Sequence, residues 1–143
     1  VVIMHSRGEL SSMQRDIRFD DVVREVEDEL RHRVQIAKTA GIDADRIILD
    51  PGIGFGKTTE QNVMLLAATG RLAATGFPIL IGASRKSFIA GIAEDASSPV
   101  DRLGGSLAAA AWSSRLGAAI LRVHDVAATM QFLRISHAID SAR

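Results

Sequence analysis

At 143 residues, with 47% hydrophobic and 24% charged side chains, the chain has the composition of an ordinary globular protein and is expected to form one domain over residues 1–143. Lys+Arg and Asp+Glu both number 17, so no net field draws it to nucleic acid or to an anionic membrane. The lack of cysteine excludes a disulfide framework and thiolate metal ligands, and no apolar run approaches the roughly 20 residues of a membrane helix, so a cytoplasmic protein is expected.

The chain opens on Val1-Val2-Ile3-Met4, a continuous apolar run that suits a strand covered on both faces. It has no initiator Met and no polar lead-in, and a fragment entering mid-fold is the expectation. His5-Ser6-Arg7-Gly8 forms the loop after it. From Asp20 the spacing turns helical: Val22, Val26, Leu30 and Val34 recur every fourth residue, with Asp20 or Asp21 as cap, Phe19 as staple and Gly41 as stop.

Ile47-Ile48-Leu49 is the second strand, and Thr59 opens a second helix with Val63, Leu66 and Ala67 on one face and Gly70 breaking it. A third strand, Ile79 to Gly82, ends at Ser84-Arg85-Lys86-Ser87. An alanine-dense helix runs from Leu107 to Arg115, small enough in its side chains to lie close to a sheet. The fourth strand, Ala118 to Val123, ends in Arg122-Val123-His124-Asp125, and a last helix carries Val126, Met130, Leu133 and His137 on or near one face. This repeated strand-helix order implies parallel strands with right-handed crossovers. Such units form either a small doubly wound sheet or half of an eight-unit barrel, and an incoming strand without lead-in favours the half-barrel.

The stretch Leu49-Asp50-Pro51-Gly52-Ile53-Gly54-Phe55-Gly56-Lys57-Thr58 organises the rest. A P-loop needs glycine where Pro51 stands, and a dinucleotide fingerprint needs glycine where Lys57 or Thr59 stands, so both phosphate motifs fail. What survives is a loop after a strand whose backbone can approach a flat or charged ligand, headed by a carboxylate. In a parallel sheet the strand ends share one face, so His5/Arg7, Asp50, Ser84/Lys86 and Arg122/His124 should converge, with Arg85 pointing elsewhere. Asp50 would accept from an N–H-rich ring, and Arg122, His124 and Lys86 would hold an anion such as pyrophosphate. Each residue also has a bland reading: Asp50 as a turn cap, His5 as strand-end packing, Lys86 as a solvated surface cation, Trp112 as core or interface. No nucleophile-base-acid triad is present.

These motifs resemble dihydropteroate synthase. The likeness rests on Ile3-Met4-His5, Leu49 through Thr58, Gly82 through Phe88, Gly105-Ser106-Leu107-Ala108 and Arg122 through Val126. The resemblance implies a TIM (β/α)8 barrel with this chain supplying strands five to eight. It also implies condensation of a dihydropterin-methyl diphosphate with p-aminobenzoate, releasing pyrophosphate. By position, Asp50, Lys86, Arg122 and His124 would be catalytic: Asp50 on the pterin, Lys86 between the substrates, Arg122 and His124 on the pyrophosphate. Phe55 and Ser84, with Arg85 and Ser87 beside them, would lie near p-aminobenzoate. The resemblance places the ligand of its Mg2+ ion in the half that precedes these motifs, so the chain alone is expected to be inactive. Small-molecule substrates and a homodimer are the expected partners. The alternatives are a pterin-binding methyltransferase barrel, against which Arg122/His124 argue, and a non-catalytic half-barrel that pairs with a second copy.

Overall fold

The computed structural model describes residues 1–8 and 17–142. Strand β1 (Val2–Met4) pairs in parallel with β2 (Ile48–Asp50), and β3 (Leu80–Ile81) pairs in parallel with β4 (Ile120–Leu121). A parallel bridge between Leu49 and Ile79 joins the pairs. The spatial order therefore equals the chain order, 1-2-3-4, with every new strand added on the same side. A doubly wound sheet reverses direction at its switch point, and these strands do not. This is an α/β arrangement with parallel strands, as the alternation of patterns implied.

Helix α1 (Val22–Thr39) forms where the four-residue apolar spacing lies, and Val22, Val26, Leu30 and Val34 are all buried. Asp21 caps it by accepting the Arg24 N–H at 3.0 Å. Phe19 stands two residues before this cap rather than one, and it packs beneath the Arg7 guanidinium instead of stapling the first turn. Emptying the Leu30 site by Leu30→Ala costs about 2–5 kcal/mol. Ile47, Leu49, Ile53, Leu65, Leu72, Ile79 and Ile81 complete the core between this helix layer and the sheet.

Helix α2 (Thr59–Ala67) starts on a capping box, with the Thr58 and Gln61 side chains each bonded to the other's backbone N–H. Its buried residues are Asn62, Leu65 and Leu66. The expected face is thus rotated, and Val63 is 42% exposed, because Asn62 turns inward to accept the Gly54 N–H at 2.6 Å. The helix breaks at Ala68, and Gly70 lies inside the next helix, α3 (Thr69–Ala73). A short α4 (Ser87–Ala90) follows β3, and α5 (Leu103–Arg115) begins four residues before the expected start.

Helix α6 (Val126–Ser141) differs most from expectation. Thr129 is its buried residue, whereas Val126 and Met130 are 61% and 44% exposed. It packs on α5 through the side holding Thr129 and Leu133, where Arg115 pairs with Asp140 at 2.8 Å. Ile135 and Ile139 stand exposed on the side turned away from α5, which nothing covers among the described residues. Among the described residues β1 pairs with β2 alone, which leaves its outer edge bare, and Val1 and Val2 are exposed. No helix of the described residues is long and apolar enough to cross a membrane.

Candidate functional site at the strand ends

Asp50 is the last residue of β2 and is 1% exposed. Its Oδ1 accepts the Gly52 N–H at 2.7 Å. Oδ2 is buried without a hydrogen-bond partner and faces Arg122 Nη2 at 3.6 Å. A buried acceptor left without a donor costs about 1–3 kcal/mol, and an entering N–H group removes that cost.

Lys86 reaches the same place from the loop after β3. Its ammonium donates to the Ile53 carbonyl and sits 3.9 Å from the centre of the Phe55 ring, a cation–π contact. Burial lowers its pKa to about 8, with Asp50 opposing the shift and Arg122 adding to it. The approach depends on Gly54, where a Cβ would stand 2.6 Å from Lys86 Cδ. Arg122 likewise crosses over Gly82, where a Cβ would stand 2.7 Å from its Nη2. These two glycines leave the room through which the cations reach Asp50.

Ser84 and His124 form the next contact. The Ser84 Oγ lies 3.1 Å from His124 Nδ1 and accepts the His124 N–H at 3.3 Å. The hydroxyl, with one donor and two lone pairs, can pair with Nδ1 in either sense while it accepts that N–H, and so anchors the ring. Arg85 turns away from these residues. Its guanidinium is bidentate to Asp125 at 3.0 and 2.6 Å, while its own N–H donates to Ser106 Oγ at 2.9 Å. Arg85 is also the non-glycine residue with positive φ among the described residues, at 58°. Ser87 is exposed at the start of α4.

The site therefore gathers Asp50, Lys86, Phe55 and Arg122, with Ser84 and His124 joined beside them. The reason is not the one expected. Strands β3 and β4 end at Ile81 and Leu121, so residues 84–86 and 122–124 lie in loops where strand alternation does not operate. The turn held at Arg85 directs Ser84 and Lys86. His5 and Arg7 do not join the cations: Arg7 pairs with Glu25 at 2.9 Å and with Glu29, and His5 is fully buried.

Two residues of functional interest escaped sequence reasoning. Asn62 fastens Gly54, and Lys57 is buried beneath the Asp50 loop. A polar residue on an otherwise apolar helix turn is the only trace Asn62 leaves, and Lys57 reads as a surface cation. For the Mg2+ ion, the described residues offer no group of three or more His, Cys, Asp or Glu that could hold a metal.

A family profile described as pterin binding enzyme matches residues 1–124. The dihydropteroate synthase of Synechocystis sp. is 40% identical over 139 residues, covering 97% of this chain and 48% of the relative. Among solved structures, dihydropteroate synthase from Stenotrophomonas maltophilia with active site-bound imidazole superposes with a TM-score of 0.94 at 41% identity, over 99% of this chain and 53% of that one. The Xanthomonas albilineans enzyme in complex with 7,8-dihydropteroate gives 0.88 at 42% identity, over 97% and 51%. The chain spans about half the length of each of these three relatives.

Proposed function

This chain belongs to the pterin-binding enzyme family, and on that premise we propose that it serves dihydropteroate synthesis as one half of a TIM barrel, its strands being the fifth to eighth. The exposed apolar side of α6 and the bare edge of β1 support a half-barrel, because a matching half would cover both. In this reading residues 1–143 are a single pterin-binding-type domain acting in the cytoplasm, and the Mg2+ ion is held by residues outside them.

The observation that carries the reading is the orphaned Asp50 Oδ2, buried and 3.6 Å from Arg122. Asp50 accepts ring N–H groups of a dihydropterin and opposes the positive charge that grows on it as the methylene–oxygen bond to diphosphate breaks. Pyrophosphate leaves with the electron pair, and Arg122 and His124 stabilise that anion. The amine nitrogen of p-aminobenzoate then forms the new C–N bond to the methylene and releases a proton. Lys86, between Phe55 and Asp50, stands between the two substrates. Ser84 and Ser87 border the p-aminobenzoate side, and Arg85 shapes that border through the turn it holds.

The test joins the first half of the Escherichia coli dihydropteroate synthase to this chain and assays dihydropteroate formation. Turnover that Asp50→Ala or Arg122→Ala abolishes supports the reading; a folded chimera whose turnover survives both changes overturns it. The chain alone is expected to give no turnover.

We also propose that the chain forms a homodimer. Val63 and Ala67 of α2, Phe88 and Ile92 around α4, and Ala108 and Trp112 of α5 line an apolar groove, with Trp112 54% exposed. An open apolar surface of this kind marks an interaction site, and it lies on the helix layer, away from the strand ends.

A further inference from the structure

Lys57 is 4% exposed, and the proposed chemistry gives it no task. Its ammonium has three donors, and each has an acceptor: Phe55 O at 2.9 Å, Gly52 O at 3.0 Å and His5 Nδ1 at 3.1 Å. None is left for a substrate phosphate. The glycine-lysine-threonine run that looks like a phosphate cradle is instead a loop closed on its own lysine.

Gly52 connects this lysine to the site. Its carbonyl accepts from Lys57, and its N–H donates to Asp50 Oδ1 at 2.7 Å. Holding Gly52 therefore fixes which carboxylate oxygen is consumed within the protein and which one faces the mouth. On the far side, His5 accepts at Nδ1, so the neutral ring carries its proton on Nε2. That nitrogen lies 3.1 Å from Glu29 Oε2, off the axis of a hydrogen bond, so the carboxylate acts on the ring as a nearby charge. Glu29 is in turn paired with Arg7 and lies 3.8 Å from Arg33.

We propose that Lys57, oriented by His5 and Glu29, is a positioning residue for Asp50: it grips the Gly52 and Phe55 carbonyls and so presents Oδ2 to the pterin. The inference rests on Asp50 being the pterin-binding carboxylate. Protonation states agree with the bonding. Burial lowers Lys57 to about 8, opposed by Asp50 and Glu29 and aided by Lys86 and Arg7. Burial lowers His5 to about 4, with Lys57, Arg33 and Arg7 adding to the shift and Glu29 opposing it. At neutral pH the lysine is charged and the imidazole neutral.

The test compares the chain with its Lys57→Met and Glu29→Gln variants by histidine NMR, amide exchange and binding of 6-hydroxymethylpterin. Lys57→Met should raise the His5 titration midpoint by about one pH unit or more, and Glu29→Gln should move it down. The Gly52 amide, bonded to Asp50, should exchange about tenfold faster in Lys57→Met, and pterin affinity should fall about tenfold, equivalent to about 1.4 kcal/mol. A Lys57→Met chain with unchanged His5 titration, Gly52 exchange and affinity overturns the proposal. If the unaltered chain binds no pterin, the pterin reading fails for it, and Gly52 exchange alone decides whether Lys57 positions Asp50. If Lys57→Met does not fold, Glu29→Gln, a change at a side chain 35% exposed, decides through Gly52 exchange and pterin affinity: both should move in the direction given for Lys57→Met, and no change in either overturns the proposal.

Discussion

Arg122 Nη2 stops 3.6 Å from Asp50 Oδ2, close enough to attract and too far to hydrogen-bond. Their strands, β4 and β2, flank β3 without pairing with each other, so the contact is made across a strand end rather than along a ladder. A carboxylate kept one donor short beside a cation suits a ligand that brings its own N–H groups. Asp50→Asn keeps the shape and removes the charge. With hydrogen bonds to charged groups worth about 1.5–3 kcal/mol, pterin affinity should fall roughly tenfold to hundredfold. Fluorescence titration measures it, and an Asn variant that binds as tightly as the parent removes Asp50 from the site.

Gly82→Ala tests the path of Arg122. The new Cβ would stand 2.7 Å from Nη2, and the guanidinium, being 58% exposed, can swing away. Stability should change by less than about 1 kcal/mol. Pyrophosphate affinity, read by calorimetry, should fall about tenfold. Equal loss of stability and binding would mean that the glycine serves the fold alone.

Ser84→Ala removes the hydroxyl paired with His124 Nδ1, leaving Arg122 untouched. The His124 ring nitrogen shifts should move as the Nδ1 contact is lost. Pyrophosphate binding should weaken by about threefold to tenfold, the net worth of one hydrogen bond. An unchanged His124 spectrum would show that the 3.1 Å contact does not hold the ring.

How much was legible follows from which neighbours each residue has. Helix α1 was readable because its partner is the sheet of the same chain, so the Val22-Val26-Leu30-Val34 spacing matches what is buried. In α6, the expected Val126 and Met130 face is exposed, since an apolar stripe shows that burial is wanted without saying which chain supplies it. Asp50, Lys86, Arg122 and His124 were readable from their place after strands, although loops rather than strand alternation bring them together. Lys57 was not: its partners are backbone carbonyls, which carry no side-chain signature, and His5, which lies 52 residues away.

Trp112→Glu tests the groove on the helix layer. A buried, unpaired carboxylate is expensive at an apolar interface, so sedimentation should shift from dimer to monomer while the far-ultraviolet circular dichroism stays the same. A dimer that persists with the charge in place assigns the groove to something other than a second copy.

The lowered lysine pKa values give a pH dependence with a definite sign. Lys57 and Lys86 titrate at about 8 when folded, against an ordinary 10.5, so between these values the unfolded chain binds more protons. Stability therefore rises with pH over that range. The cost of keeping the buried ammonium charged is fully present below the folded value and is relieved above it. With no Tyr and no Cys in the chain, few other groups titrate there. Urea denaturation at pH 9.5 should give stability higher than at pH 7.5 by on the order of 1–2 kcal/mol, mostly from Lys57 because the half-exposed Lys86 is screened by solvent. Lys57→Met should lose most of that rise, and a parent chain whose stability falls steadily from pH 7.5 to 9.5 would show that its ammonium is not confined as the three short bonds require.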